Sequence, residues 1–150
     1  TGLEARLVAA DALAFDPGEL YDAVLLDAPC SATGTIRRHP DVALLKRPAD
    51  VASLAELQKK LLARAVSLLR PGGVLVYSTC SLEREEGEAQ AAWALGTLPL
   101  SPIPVQPTEI GGLSALCRGG FLRSLPSDLP SDEPRLSGLD GFFAARFVKN

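Results

Sequence analysis

With 150 residues, 47% of them hydrophobic and 22% charged, the chain has the make-up of one folded domain with a real core rather than a disordered segment. Its net charge of −3 argues against a free-standing basic nucleic-acid module, so any RNA affinity is expected to be local or supplied from outside the chain. No apolar run can span a bilayer, Thr1-Gly2-Leu3-Glu4-Ala5-Arg6 lacks the form of an export signal, and three cysteines without C-x-x-C spacing fit neither a disulfide framework nor a zinc site; no membrane, no metal and a cytoplasmic location are expected.

Residues 6–10, Arg6-Leu7-Val8-Ala9-Ala10, read as a short buried strand closed by Asp11, followed by a turn at Asp16-Pro17-Gly18. Tyr21-Asp22-Ala23-Val24-Leu25-Leu26 is a second apolar run, closed by Asp27. Continuous rather than alternating runs predict strands covered on both faces, as in parallel sheets. An irregular stretch, Ala28-Pro29-Cys30-Ser31-Ala32-Thr33-Gly34-Thr35, then leads to the basic Arg37-Arg38-His39. Long connections of this kind in compact domains are usually functional.

Order returns near Asp50, read as a helix cap, with Leu54, Leu57, Leu61, Ala65 and Leu68 on one helical face and Glu56, Lys59, Lys60 and Arg64 mostly off it. Pro71-Gly72-Gly73 is expected to stop this helix, and the strand Val74-Leu75-Val76-Tyr77-Ser78-Thr79 starts at once and delivers Cys80. Residues 83–98 predict one continuous helix, with Glu83, Glu85, Glu86 and Glu88 as a solvated, dipole-matched start and Trp93 in core packing. A Pro-rich connector over 99–107 precedes two strands, 120–125 and 141–148, around a Ser/Pro/Asp-rich loop, expected to pair antiparallel.

Strand, helix, strand, helix with short joints predicts a Rossmann-like α/β sheet, mostly parallel, with a C-terminal antiparallel strand pair. Ligands bind such sheets beyond the carboxyl ends of the strands. A right-handed crossover puts the strands ending at Asp27 and Thr79 in one sheet as neighbours. Asp27, Cys30 and Cys80 would then share a rim, with Asp11 at a further strand end.

The stretch from Asp27-Ala28-Pro29-Cys30-Ser31 to His39-Pro40-Asp41 resembles the proline-cysteine motif of RNA cytosine 5-methyltransferases of the Sun/Nop2 group, and Tyr77-Ser78-Thr79-Cys80-Ser81 resembles that family's threonine-cysteine motif. The Pro-Gly-Gly before the second strand and Asp140-Gly141-Phe142-Phe143 extend the likeness over essentially the whole chain, and the bacterial branch that modifies small-subunit ribosomal RNA is the nearest in pattern. The chemistry explains the motif pair: carbon 5 of cytosine is a weak nucleophile until a thiolate adds to carbon 6, and an acid near ring nitrogen 3 helps.

The resemblance implies a class I methyltransferase that uses S-adenosylmethionine on RNA, with Cys80 as nucleophile, Cys30 as the thiol that assists release, and Asp27 contacting both cytosine and cofactor. Asp11 and Pro29 would lie by the cofactor, and Arg37, Arg38 and Thr79 by an unpaired or extruded nucleotide. In DNA cytosine methyltransferases the proline-linked cysteine is the nucleophile, which makes Cys30 the rival to Cys80. Asp11 and Asp27 also suit plain loop caps, Arg37 and Arg38 a solvated surface, His39 a loop residue before proline, and Cys117 a small buried hydrophobe.

The glycine-rich cofactor loop after a first strand, and the acid after a second, are missing from the sequence. Residues 1–150 therefore read as the C-terminal portion of a methyltransferase catalytic domain lacking its first strands, with the cofactor loop and an RNA-binding domain expected upstream. An alternative is a catalytically incomplete remnant that acts as an RNA- or protein-binding module.

Overall fold

The computed structural model describes residues 2–150; Thr1, the first residue of the segment weighed as an export signal, lies outside them. A six-stranded mixed sheet is built from β1 (Tyr21–Asp27), β2 (Leu69–Thr79), β3 (Leu100–Pro102), β4 (Cys117–Arg118), β5 (Phe121–Ser124) and β6 (Phe142–Lys149). Its order is β1-β2-β6-β5-β4, with β3 paired to β6 off that path. Among the described residues three α-helices accompany the sheet: a single turn α1 (Val42–Leu45), the long α2 (Pro48–Ser67) and α3 (Glu88–Thr97), with short 3-10 turns in the connections.

β1 and β2 run parallel with Asp27 opposite Ser78, as the crossover rule requires. All other pairings are antiparallel, because β6 enters between β2 and β5 and also carries β3. The antiparallel part of the sheet is thus larger than the single terminal pair the sequence predicts.

The core lies where α2 and α3 cover one face of the sheet. Leu75 and Tyr77 of β2 alternate inward with Phe143, Ala145 and Phe147 of β6, against Leu62, Ala65 and Val66 of α2 and Ala91 and Ala94 of α3. On β1 only Val24 and Leu26 join this core, while Leu25 is 70% exposed on the opposite face. β1 is therefore covered on one face, not the two its apolar run implies.

Residues 6–10 form no strand: they are exposed and bound a hollow of about 660 Å³ beside Val24, Leu26 and α2. An isolated five-residue run gains strand geometry only from a ladder partner, and here it has none. Asp11 instead opens a turn, its carboxylate accepting from Leu13 N and its carbonyl from Ala14 N and Phe15 N.

Three boundaries shift for local reasons. Pro48 takes the first helical position of α2, so Asp50 sits three residues inside the cap and accepts from Arg47 N. That helix ends before Pro71: Lys149 Nζ donates to Val66 O in its last turn and to Leu69 O at the start of β2. Pro71-Gly72-Gly73 is a bulge inside β2, where the register jumps from Tyr21 opposite Leu69 to Ala23 opposite Val74 and Gly72 takes a φ of +77°. The helix expected over 83–98 breaks at Gly87 into a 3-10 turn (Arg84–Glu86) and α3. A Cβ at Gly87 would meet the Arg123 guanidinium at 2.4 Å, so any larger residue there displaces that side chain.

Candidate active site at the carboxyl end of β1 and β2

The parallel pair ends in two loops that are stitched together by main-chain bonds. Ala28 N donates to Ser78 O at 3.0 Å, and Gly34 N donates to Cys80 O at 3.0 Å. Gly141 N in turn donates to Gly34 O at 2.8 Å, which ties the start of β6 into the same seam. No side chain fits there: a Cβ at Gly34 would lie 1.9 Å from Gly141 O and 2.9 Å from Cys80 O.

This seam brings the Sγ atoms of Cys30 and Cys80 to 3.5 Å, both thiols being half-buried. Burial, reinforced by the neighbouring Cys80 thiol and partly offset by the Ala32 main chain, pushes the Cys30 thiol up to about 12. Cys30 is therefore a neutral S–H at physiological pH. Asp27 stands exposed beside the pair at the end of β1, with Oδ1 accepting from Ser78 Oγ at 3.0 Å.

The other expected residues fall in different places. Pro29 is exposed, and its carbonyl accepts from Gln58 Nε2 at 2.9 Å. Arg37 and Arg38 lie on the exposed lip of the loop, where Arg37 donates to Ser137 O and Arg38 pairs with Asp140 at 2.5 Å. Thr79 is fully buried, with its hydroxyl donated to Glu86 O at 3.2 Å. It forms part of the floor of the site, so its side chain does not offer the substrate contact expected of it. Asp11 has its carboxylate engaged in its own turn and makes no hydrogen bond to Asp27, Cys30 or Cys80. His39 is exposed, and Cys117 is half-buried in β4.

Beneath the thiols lies a polar layer that the sequence did not disclose. Glu86, read as part of a solvated helix start, is wholly buried. Its carboxylate accepts from Ser31 N at 3.0 and 3.1 Å, from Ser31 Oγ at 2.5 Å and from Gln58 Nε2 at 3.2 Å. Arg123, 4% exposed, donates to Ser81 O at 2.6 Å, lies 5.0 Å over the Phe143 ring and pairs with Glu88 at 2.6 Å. Burial disfavours the Glu88 carboxylate, but the Arg123 hydrogen bonds outweigh it and hold the acid below its usual range. Gly87, a helix breaker directly after Glu86, was the one signal in the sequence that these acids do not share a solvated helix face.

A mixed sheet whose parallel pair ends in two juxtaposed cysteines and a carboxylate is the fold of a class I methyltransferase of the Sun/Nop2 type. The chain superposes on the crystal structure of NSun6 from Pyrococcus horikoshii with SFG at a TM-score of 0.71 and 30% identity, covering 96% of this chain and 34% of that one. The crystal structure of PH0851 gives a TM-score of 0.70 at 35% identity, over 85% of this chain and 26% of the other.

The chain belongs to the 16S rRNA methyltransferase RsmB/F family, whose model matches residues 2–148. It is 42% identical to ribosomal RNA small subunit methyltransferase B of Sodalis glossinidius (strain morsitans) over 99% of its own length and 31% of that protein's. It is 40% identical to ribosomal RNA small subunit methyltransferase F of Escherichia coli (strain SMS-3-5 / SECEC) over 87% of its own length and 26% of that protein's. The chain thus spans about a third of the length of the curated relatives it matches.

Proposed function

We infer that this chain carries the covalent half of an RNA cytosine 5-methyltransferase active site, with small-subunit ribosomal RNA as substrate. The observation that carries the reading is the 3.5 Å approach of the Cys30 and Cys80 thiols at the strand ends that also present the Asp27 carboxyl group. The thiolate of Cys80 adds to carbon 6 of an extruded cytosine, and the electron pair of the ring double bond moves onto carbon 5. Through its O–H the Asp27 carboxyl group donates a hydrogen bond to ring nitrogen 3 and stabilises the negative charge that develops there.

S-adenosylmethionine, when bound, supplies the electrophilic methyl group for carbon 5. The chain's residues fit one side of that cofactor: Asp27 is exposed at a strand end with Oδ2 uncommitted, and Pro29 is exposed next to it. The carboxylate of Asp11 already serves its turn, which leaves it a lesser share. Among the described residues no glycine-rich loop follows a strand to cradle the rest, and that loop, with an RNA-binding domain, is assigned to residues outside this sequence.

Once carbon 5 carries its methyl group, its proton passes to solvent, the C5–C6 double bond reforms, and the bond from carbon 6 to sulfur breaks with its electron pair returning to Cys80. The neutral Cys30 S–H donates a hydrogen bond to that departing sulfur and stabilises it as thiolate. The choice of Cys80 over Cys30 as nucleophile follows the threonine-cysteine motif that Tyr77-Ser78-Thr79-Cys80-Ser81 resembles, with Cys30 close enough to serve the departing sulfur.

The test is covalent trapping of the full protein on 5-fluorocytosine RNA, where the fluorine at carbon 5 prevents release. The adduct is expected to vanish with Cys80→Ser and persist with Cys30→Ser. An adduct that survives Cys80→Ser and disappears with Cys30→Ser reverses the assignment.

A further inference from the structure

We propose that Glu86 is a positioning residue that sets the relation between the two thiols and thereby controls the release step, a role that rests on the covalent mechanism inferred above. Glu86 grips both cysteine loops from opposite ends of one residue. Its carboxylate holds Ser31, the residue after Cys30, through the main-chain N–H and the hydroxyl. Its main-chain carbonyl holds Thr79, the residue before Cys80, by accepting from Thr79 Oγ1 at 3.2 Å, and it lies 2.8 Å from the Tyr77 hydroxyl.

The grip is buttressed rather than free to rotate. Gln58 of α2 donates through Nε2 to both Glu86 Oε1 and Pro29 O, while its Oε1 lies 3.1 Å from the Tyr77 hydroxyl. Ser81, the residue after Cys80, is joined to the same cluster through Ser31 Oγ at 3.1 Å. Arg123, the nearby buried cation, is committed to Glu88 and Ser81 O. The hydrogen bonds to the Glu86 side chain all come from uncharged donors, of which the Ser31 pair belongs to the Cys30 loop.

The two halves of the grip differ in what a side-chain substitution removes. Glu86→Gln keeps the carbonyl that holds Thr79 and hence the approach of Cys80 to carbon 6. On the other side one of the two acceptor oxygens becomes an amide N–H₂, which can no longer accept from Ser31 Oγ or share the Ser31 N–H, and the hold on the Cys30 loop is weakened. Addition should then survive while release slows.

On ordinary cytosine RNA, Glu86→Gln in the full protein is expected to accumulate a Cys80-linked RNA adduct that the unaltered protein turns over. The kcat should fall on the order of tenfold to a hundredfold, with KM for RNA within about twofold, as expected for a thiol displaced by about an ångström. Cys30→Ala is expected to accumulate the same adduct, and the double variant Cys30→Ala/Glu86→Gln should release it no more slowly than Cys30→Ala alone. A purely structural Glu86 would instead lower addition and release together and add to Cys30→Ala.

Should Glu86→Gln fail to fold, Ser31→Ala, which removes only the hydroxyl from the same contact, is expected to show the adduct in smaller amount. Adduct in Cys30→Ala but none in the folded Glu86→Gln or Ser31→Ala variant overturns the role of Glu86 and leaves the covalent mechanism standing. Absence of a Cys80-linked adduct from the unaltered protein and from Cys30→Ala alike overturns both.

Discussion

The carboxyl end of β1 and its outer edge are a few residues apart and differ in almost every physical respect. At the end, Ala28 N, Ser31 N, Gly34 N and Gly34 O all have partners in the β2 loop, the Glu86 turn or the start of β6. Along the outer edge β1 pairs with no strand among the described residues, its Leu25 is 70% exposed on the sheet face away from the core, and residues 2–10 lie open to solvent. The order of the thiol rim is thus generated from β2, β6 and the buried acid behind them, and owes nothing to whatever flanks β1 on its free side. A free apolar edge is also a template for pairing with another chain, so self-association is expected to start there and leave the rim intact.

Substitutions should separate the two regions by size of effect. The largest is expected at the seam: Gly34→Ala places a methyl group 1.9 Å from Gly141 O, where both neighbours are main chain and cannot move aside. A loss of about 3 kcal/mol or more in urea unfolding is expected, and a loss below about 1 kcal/mol would show that the seam is loose. Arg123→Met comes next. It leaves Ser81 O without its donor and Glu88 without its partner, at a cost of roughly 2–4 kcal/mol. The deficit should shrink if Glu88→Gln is added, because part of it is the stranded acid.

Titration probes the rim more gently. The Cys30 thiol is raised from an ordinary 9.0 to about 12 by burial, so the folded state holds that proton more tightly than the unfolded chain. Its contribution is complete below pH 9 and is lost as pH climbs toward about 12. The buried Tyr77 hydroxyl is raised as well, by burial first and then by Glu86 and Cys30, so the alkaline fall in stability must be compared with Cys30→Ser rather than read alone. A smaller fall in that variant is expected between about pH 9 and pH 12; identical curves would mean that Cys30 titrates normally.

The smallest effect belongs to the open side. Leu7→Ser, at a residue 93% exposed, should change stability by less than about 0.5 kcal/mol, and a larger loss would mean that residues 6–10 are packed in solution.

The site was legible where it is local in sequence and hidden where it is made by packing. Asp27, Cys30 and Cys80 could be placed on one rim from strand ends and crossover handedness, since both follow from short-range pattern. Glu86 could not, because its neighbours Glu83, Glu85 and Glu88 make an acidic run that reads as solvent-facing. Gly87 marks the break locally, but the inward turn of Glu86 is settled by partners far away in sequence, Ser31 and Gln58. The strand expected at 6–10 failed for the converse reason: its local pattern is sound, but a strand is a property of two segments.

The placement of β6 has a consequence for assembly. It is the latest strand in chain order, yet it sits in the middle of the sheet, with Val74 of β2 opposite Val148 and Leu122 of β5 opposite Ala144. As the polypeptide emerges during synthesis, β2 can dock on β1 early, but its second edge stays bare until β6 threads in. Until then Gly141 cannot close the seam on Gly34, so a nascent chain carries both cysteines close to their final register without the third segment that fixes them. The interval between those events is the period in which this domain is most exposed to mispairing of strands.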